Sequence, residues 1–318
     1  MWPFVWKRIR RELLVQGSFF LPPQRRIALE RWHRGLEEWR RLQQADAVVV
    51  SYGKSGRTWL RVLISRYYQL RCGLSGYTMM GFDNLHRKDP RIPKILFTHD
   101  NYLADYTGHR ADKRDYYGSR VVLLVRDPRD VAVSQFFQWK YRMRPAKKRI
   151  NDYPLEEVDI FTFVMGKAGL PKIIAFMNGW ARELERLPRL HLVRYEDLRR
   201  DTRGELRRLL AFLGEEAGEA ELEDCVAFAS VDNMRRLEAE GRFWRAGVRL
   251  MPRDRSNPDS YKVRRAKVGG WRDYFEDEQI RAIDAYVAER LDPAFGYVAA
   301  GVPDSGAQRA LSRAIGTC

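Results

Sequence analysis

The stretch V-V-V-S-Y-G-K-S-G-R-T-W-L-R-V-L-I, residues 48–64, decides the fold. Its opening, Ala47 to Val50, is apolar and β-branched with no polar face, as in a strand buried on both sides of a parallel sheet. From Thr58 onward Leu60, Leu63, Ile64 and Tyr67 recur at helical spacing. Between strand and helix lies a glycine-bearing turn with Lys54, Ser55 and Thr58. N–H groups at a helix start, with the positive end of its dipole and a lysine beside them, suit an anion. The nucleoside-triphosphate signature G-x-x-x-x-G-K-[ST] is not spelled, because its first glycine would fall on Val48 inside the strand. The turn is therefore tighter than that of ATPases and GTPases. A generic strand-to-helix turn with a surface lysine is the plainer alternative, disfavoured by glycine, lysine and two hydroxyls packed into six residues after a buried strand.

Further along, Ile95-Leu96-Phe97 runs into Thr98-His99, and Val121 to Val125 runs into Arg126. Asp127-Pro128 then form an N-cap and N1 pair. Leu190 to Val193 ends at Arg194-Tyr195-Glu196-Asp197 and leads into a helix over 203–213. Residues 25–44 carry apolar side chains at helical spacing. Short apolar strands alternating with helices predict an α/β fold, a single domain with a central parallel sheet flanked by helices. Residues 140–158 and 250–263 read as loops. The expected organisation is an N-terminal helical, basic-aromatic segment over 1–44, a main domain over 45–300 and a flexible tail over 301–318.

The chain has 318 residues, long enough to bury a full core, and is 45% hydrophobic and 12% aromatic, as in folded proteins. Its 58 basic and 42 acidic residues give a net charge of +16. That excess predicts an anionic partner, whether nucleic acid, membrane surface or phosphorylated ligand. Solvated arginines on helix faces, such as Arg34, Arg40 and Arg41, account for much of it. Cys72, Cys225 and Cys318 have neither metal-ligand spacing nor a disulfide framework, which fits a reducing cytoplasm. Apolar runs fall far short of the ~20 residues that span a bilayer, and no secretion leader is evident. Residues 1–14 mix Trp2, Phe4 and Trp6 with Lys7, Arg8, Arg10 and Arg11. That mixture suits peripheral membrane contact, but an amphipathic helix capping the domain is the favoured reading.

Ligands of parallel α/β sheets sit at the C-terminal strand ends, so Arg126 is placed to grip a second anionic group, with Ser134 on the following helix. Arg264 and Arg265, before the Gly269-Gly270 turn and Trp271, form a basic loop able to close over an anion. No carboxylate stands out for the magnesium that phosphoryl transfer needs.

These motifs occur together, in order, between residues 47 and 275, and there the chain resembles the sulfotransferases that use 3′-phosphoadenosine 5′-phosphosulfate (PAPS). The family's P-K-S-G-T-T-W is met by Gly53-Lys54-Ser55-Gly56-Arg57-Thr58-Trp59. Its R-[ND]-P-[KR]-D-x-x-x-S is met by Arg126 to Ser134. Its Y-E-D-L is met by Tyr195 to Leu198, and its R-K-G-x-x-G-x-W by Arg264 to Trp271 with changes. The resemblance implies a P-loop-like sulfotransferase fold and no metal. It places Lys54, Ser55, Gly56, Arg57 and Thr58 on the 5′-phosphosulfate, with Trp59 and Tyr195 at the adenine. Arg126, Ser134 and Arg264, helped by Arg265 and Ala266, would hold the 3′-phosphate. His99, in Phe97-Thr98-His99 where the family commonly has K-T-H, would be the catalytic base, and Lys54 would neutralise the leaving phosphate of the product PAP.

Departures accompany the matches. Phe97 replaces a lysine, so any charge it gave must come from elsewhere. Gly53 replaces proline, Ala266 replaces a glycine, and Val231 stands where an aromatic often flanks the adenine. The expected acceptor is a small molecule, lipid or glycan with a hydroxyl or amine. Met79, Met80, Phe82, Phe136, Phe137 and Trp139 sit where the resembled family builds its acceptor pocket, which implies an apolar or aromatic ring; the plainer reading is that several are core residues. The competing readings are a P-loop kinase-like transferase and a basic nucleic-acid-binding protein. Helix-turn-helix, RNP and zinc patterns are absent from the sequence, so nucleic acid is not the expected partner.

Overall fold

Because Ala47 to Ser51 present no polar side chain larger than a serine hydroxyl, the run is stable only where both faces are covered, and all of it is buried. It forms strand β1, Ala47–Ser51, followed by β2 Ile95–Thr98, β3 Val121–Val125 and β4 Leu190–Arg194. The computed structural model describes Gly17 and residues 20–242 and 254–298. The segment 1–14, expected to suit a membrane surface, and the tail 301–318 lie outside these residues.

The strands form a 4-stranded sheet of order β2-β1-β3-β4, parallel throughout. Helices connect and flank them: α1 Pro23–Leu42, α2 Arg57–Arg71, α3 Leu103–Thr107, α4 Pro128–Tyr141, α5 Pro145–Ile150 and α6 Ile160–Met165 precede β4, as does α7 Leu170–Ala181. After β4 come α8 Tyr195–Arg200, α9 Thr202–Leu213, α10 Glu219–Phe228, α11 Val231–Ala239 and α12 Asp277–Arg290. The expected loop over 140–158 contains α5, which starts with Pro145 at its first position.

Alternation along the strands divides the core between two helical layers. Val49, Val122 and Leu124 pack with Leu60 and Leu63 of α2 and Leu206 of α9. Val48, Val50, Leu123 and Val125 point the other way, toward Val131 of α4, Ile173 of α7 and Ile283 of α12. The stretch Ile160–Ala181 is apolar and long enough to cross a membrane by composition. Its Leu170, Ile173, Ile174, Met177 and Trp180 instead pack in the sheet-facing core.

Strand β1 is flanked by β2 on one side and β3 on the other, so the chain reverses its direction of travel across the sheet between β1 and β3. A crevice opens at such a switch point, beyond the C-terminal strand ends. Val50 pairs with Thr98, and Ser51 with Leu124. The turn after β1, His99 after β2 and Arg126 after β3 therefore leave the sheet at nearly one level.

Leu123 is fully buried at the centre of this arrangement. Replacing it with alanine removes apolar contacts and leaves a cavity, and Leu123→Ala should cost about 2–5 kcal/mol. Urea denaturation should show a lower midpoint with an unchanged slope. A midpoint shift equivalent to under about 1 kcal/mol would contradict this packing.

Candidate active site

The turn after β1 is built around Gly56, which caps α2 at φ +96°. A Cβ there would lie 2.6 Å from Cδ2 of Tyr195, so both conformation and space require glycine. Lys54 also takes a positive φ, 75°, which turns its side chain and carbonyl about the crevice. No side chain caps α2. Its first N–H groups lack intrahelical partners and are available to an anion.

On the other side of the crevice, Arg126 is held from several directions. Its guanidinium donates to the Lys54 carbonyl at 3.4 Å, to the Lys267 carbonyl at 3.2 Å and to Asp130 Oδ2 at 3.2 Å. It also lies 4.3 Å from the centroid of the Tyr195 ring. Its Nε is buried and has no hydrogen-bond partner among the described residues. Asp130, 4% exposed, accepts from the backbone N–H groups of Gly269 and Trp271 at 2.9 and 3.0 Å. This carboxylate therefore docks the basic loop onto α4, a role the sequence reading missed. Its position four residues after Arg126, in the first turn of a helix, was the available signal.

The basic loop is pinned by its own acids and rings. Arg264 donates to the Tyr274 hydroxyl and lies 3.8 Å over the Phe137 ring. Arg265 donates to Tyr274 at 3.2 Å and pairs with Asp273. Ala266 adopts φ +54°, a region that favours glycine, so its methyl costs about 1 kcal/mol of backbone strain. Trp59 donates from Nε1 to the Ala229 carbonyl at 2.8 Å and meets the Tyr195 ring edge-on at 5.8 Å.

His99 is fixed at both ring nitrogens. Nδ1 lies 2.7 Å from the Ser51 carbonyl, an acceptor, so it carries the proton. Nε2 then has the lone pair, and accepts from Arg57 at 2.6 Å. Burial and the adjacent Arg57 charge hold the imidazole pKa well below 6.5. The ring is a neutral base whose free lone pair is occupied by a guanidinium. Next to it, Thr98 donates to Glu38, whose burial raises its carboxyl to about 7.

Cations crowd the turn. Lys54 keeps accessible surface only because it opens on the cavity. Protein surrounds it, and burial followed by the charges of Arg142, Arg126 and Arg264 lowers its pKa to about 7. Lys262, held near Lys54, is lowered for the same reasons. Glu238, 0% exposed, offsets part of this charge by accepting from the N–H groups of Lys262 and Val263 at 2.7 and 2.9 Å. Phe97, where the resembled family often has lysine, lies 4.0 Å under the Arg61 guanidinium.

One cavity of about 300 Å³ joins these groups. Lys54, Gly56, Arg57, Thr58, Trp59 and His99 are on its wall, as are Arg126, Ser134, Tyr195, Arg264, Arg265 and Ala266. Ser55, 2% exposed, is buried behind the wall. Asp130 is the one carboxylate on the wall among the described residues.

The side chains at the positions of the resembled family's acceptor pocket do not line this cavity. Met79 and Met80 belong to the core beneath α2, and Phe136 and Trp139 form a separate cluster with Phe163. Phe82 and Phe137 pack against the core on the other sheet face. None of these side chains lines the cavity. Their spacing reflects packing between layers, and helical periodicity cannot distinguish that from a pocket wall. The cavity wall also includes the polar Asn101, Gln138, Lys147, Asn151, Tyr153 and Lys172 and the apolar Val133, Met143, Val231, Met234 and Val263.

The family model of the sulfotransferase domain matches residues 118–294, which include Arg126, Ser134, Tyr195 and Arg264 and follow Lys54 and His99. Flavonol 3-sulfotransferase of Flaveria bidentis is 26% identical over 269 residues, covering 77% of this chain and 81% of its own. Cytosolic sulfotransferase 12 of Arabidopsis thaliana is 24% identical over 275 residues, covering 78% of each. The crystal structure of mouse sulfotransferase SULT7A1 complexed with PAP superposes with a TM-score of 0.54 at 18% identity, covering 82% of this chain and 92% of that one. At that identity the likeness is one of fold.

His99 gives the site a direct check. With its pKa well below 6.5, the imidazole should stay neutral as pH falls from 8 to 6.5, and protonate only further down. The ¹⁵N shifts of its ring in the free protein should be flat over that range, with Nδ1 as the protonated nitrogen. An inflection at or above 6.5 would contradict the geometry.

Proposed function

Since this chain belongs to the sulfotransferase domain family, we propose that it moves the sulfuryl group of PAPS to a hydroxyl of its acceptor, with His99 as general base. The observation that carries this reading is Arg126 reaching the Lys54 carbonyl across the β1–β3 crevice, with His99 on the wall of the same cavity. PAPS is anionic at both ends of its nucleoside, and the crevice is cationic at both sides. The depressed pKa of Lys54 and the orphaned Nε of Arg126 are what a site built for bound phosphates would have in their absence.

When bound, PAPS supplies an activated sulfuryl group on a phosphate that can depart. The Gly53–Thr58 turn, Ser55 included, would hold the 5′-phosphosulfate through helix-start N–H groups and Lys54. Arg126, Ser134 and Arg264, with Arg265 and Ala266 completing the loop, would hold the 3′-phosphate, and Trp59 and Tyr195 would flank the adenine. With a dianion at the turn, Arg57 would leave His99 for the phosphate and free the Nε2 lone pair. That nitrogen takes the acceptor's proton as the new S–O bond forms and the bond from sulfur to the bridging phosphate oxygen breaks, leaving PAP. Lys54 meets the charge that builds on this leaving oxygen. A neutral imidazole with a low pKa is a modest base but is fully unprotonated at pH 7, and general base catalysis is worth about a hundred- to ten-thousand-fold. The relative named as a cytosolic sulfotransferase supports a cytoplasmic location for this chain.

Three measurements test the assignments. Lys54, with a pKa near 7, is largely neutral at pH 8 in the free protein and should regain its proton as phosphate arrives. Calorimetry of PAP in buffers of different ionisation heat should show uptake approaching about one proton at pH 8, and little at pH 6. No uptake at pH 8 would contradict the crowding of Lys54. His99→Ala should reduce turnover by about a hundredfold or more while PAP still binds. Arg126→Ala should weaken PAP far more than adenosine 5′-phosphosulfate; equal losses for both ligands would remove Arg126 from the 3′-phosphate.

A further inference from the structure

Trp59 and Tyr195 give one end of the cavity its aromatic surface, and both are partly engaged by the protein itself. The indole N–H of Trp59 is spent on the Ala229 carbonyl, so the ring offers a ligand its π face. Tyr195 meets that ring edge-on and carries the Arg126 guanidinium over its own. The wall beside them is aliphatic, from Ala229, Val231 and Met234. A flat base entering here meets the indole on one face, and among the described residues this wall offers no second ring for the other.

Arg199 stands at this end. Helix α8 places it four residues after Tyr195, on the same helical face, and it lies on the cavity wall. Its guanidinium carbon is 5.4 Å from the centroid of the Trp59 ring. The acids of α8 are engaged elsewhere. Asp197 pairs with Arg200 at 2.8 Å, and Glu196 accepts from the Asp127 N–H at 3.0 Å and from the Tyr297 hydroxyl at 2.6 Å. Arg199 makes no ion pair or hydrogen bond among the described residues, and its guanidinium rests on the indole. A guanidinium is planar and weakly hydrated, so it stacks on ring faces as a lysine ammonium does not.

We propose that Arg199 is a nucleobase-binding residue, whose guanidinium closes over the purine and holds it against Trp59. The base takes the place of the guanidinium on the indole, and Arg199 exchanges one ring for another, so its cation–π contact is kept. This supplies the second platform that the aliphatic wall lacks. It rests on the PAPS reading of the site, and deepens it by naming the residue that grips the base.

Calorimetry of the full chain compares PAP with ribose 3,5-bisphosphate, which keeps both phosphates and lacks the base. Wild-type protein should bind PAP the tighter of the two. Arg199→Ala should weaken PAP about fivefold or more, as loss of a stacking partner does, and change the ribose bisphosphate by less than about twofold. Arg199→Lys keeps the charge and loses the plane, so it should still weaken PAP about threefold or more. Retained ribose bisphosphate binding also shows that each variant is folded. Unchanged PAP affinity in Arg199→Ala would overturn the proposal. So would equal losses for the two ligands, which would mark a phosphate contact, or full PAP affinity in Arg199→Lys. Each of these results leaves the sulfuryl-transfer reading intact. Failure of the wild-type chain to bind PAP at all would instead overturn that reading, and this one with it.

Discussion

Val48 to Ser51 pair in register with Val121 to Leu124, and this parallel ladder carries the Gly53–Thr58 turn and Arg126 to the same end of the sheet. The two anion-seeking elements are far apart in the chain and adjacent in space for that reason alone. Where Arg126 reaches the Lys54 carbonyl, the backbone of the turn and the loop around Lys267 are bound into one frame. Asp130 makes the frame rigid by holding both Arg126 and the Gly269–Trp271 backbone. Removing the ladder would separate the parts of the site without changing any of them.

Crowding of like charge is the electrostatic signature of this frame. Lys54, Lys262, Arg57 and Arg126 face a single cavity whose wall includes one carboxylate among the described residues. Desolvation and mutual repulsion depress the lysines, and buried Glu238 relieves only part of the strain. Such an arrangement is costly until an anion enters, and a bound phosphate would restore the lysine charges while gaining their hydrogen bonds. His99 belongs to the same balance. The guanidinium that occupies its lone pair is also one that a phosphate would attract.

Much of this was legible in the sequence because it is local. The strands announce themselves as short apolar runs, the turn as glycine, lysine and hydroxyls packed between strand and helix, and Asp127 as a cap, which it is, accepting from the Arg129 N–H at 2.9 Å. Once the strands are read as parallel, Arg126 and His99 must fall at one sheet edge. What depends on tertiary packing was not legible. Phe136 and Trp139 could serve equally in a core or on a pocket wall, and the structure puts them in a core. That α5 and α7 bring Lys147 and Lys172 to the cavity wall is set by packing, and nothing local in the sequence says so. That Ala266, in place of the resembled family's glycine, takes φ +54° is likewise set by the folded loop.

The central claim is that one nucleotide bridges the crevice, held at both anionic ends. A crystal structure of the chain with PAP tests it most directly. The account predicts the 5′-phosphate among the N–H groups of residues 53–58 with Lys54 in contact, and the 3′-phosphate against Arg126 and Ser134. A nucleotide bound elsewhere, or held in the crevice by one phosphate with the other left in solvent, would contradict it.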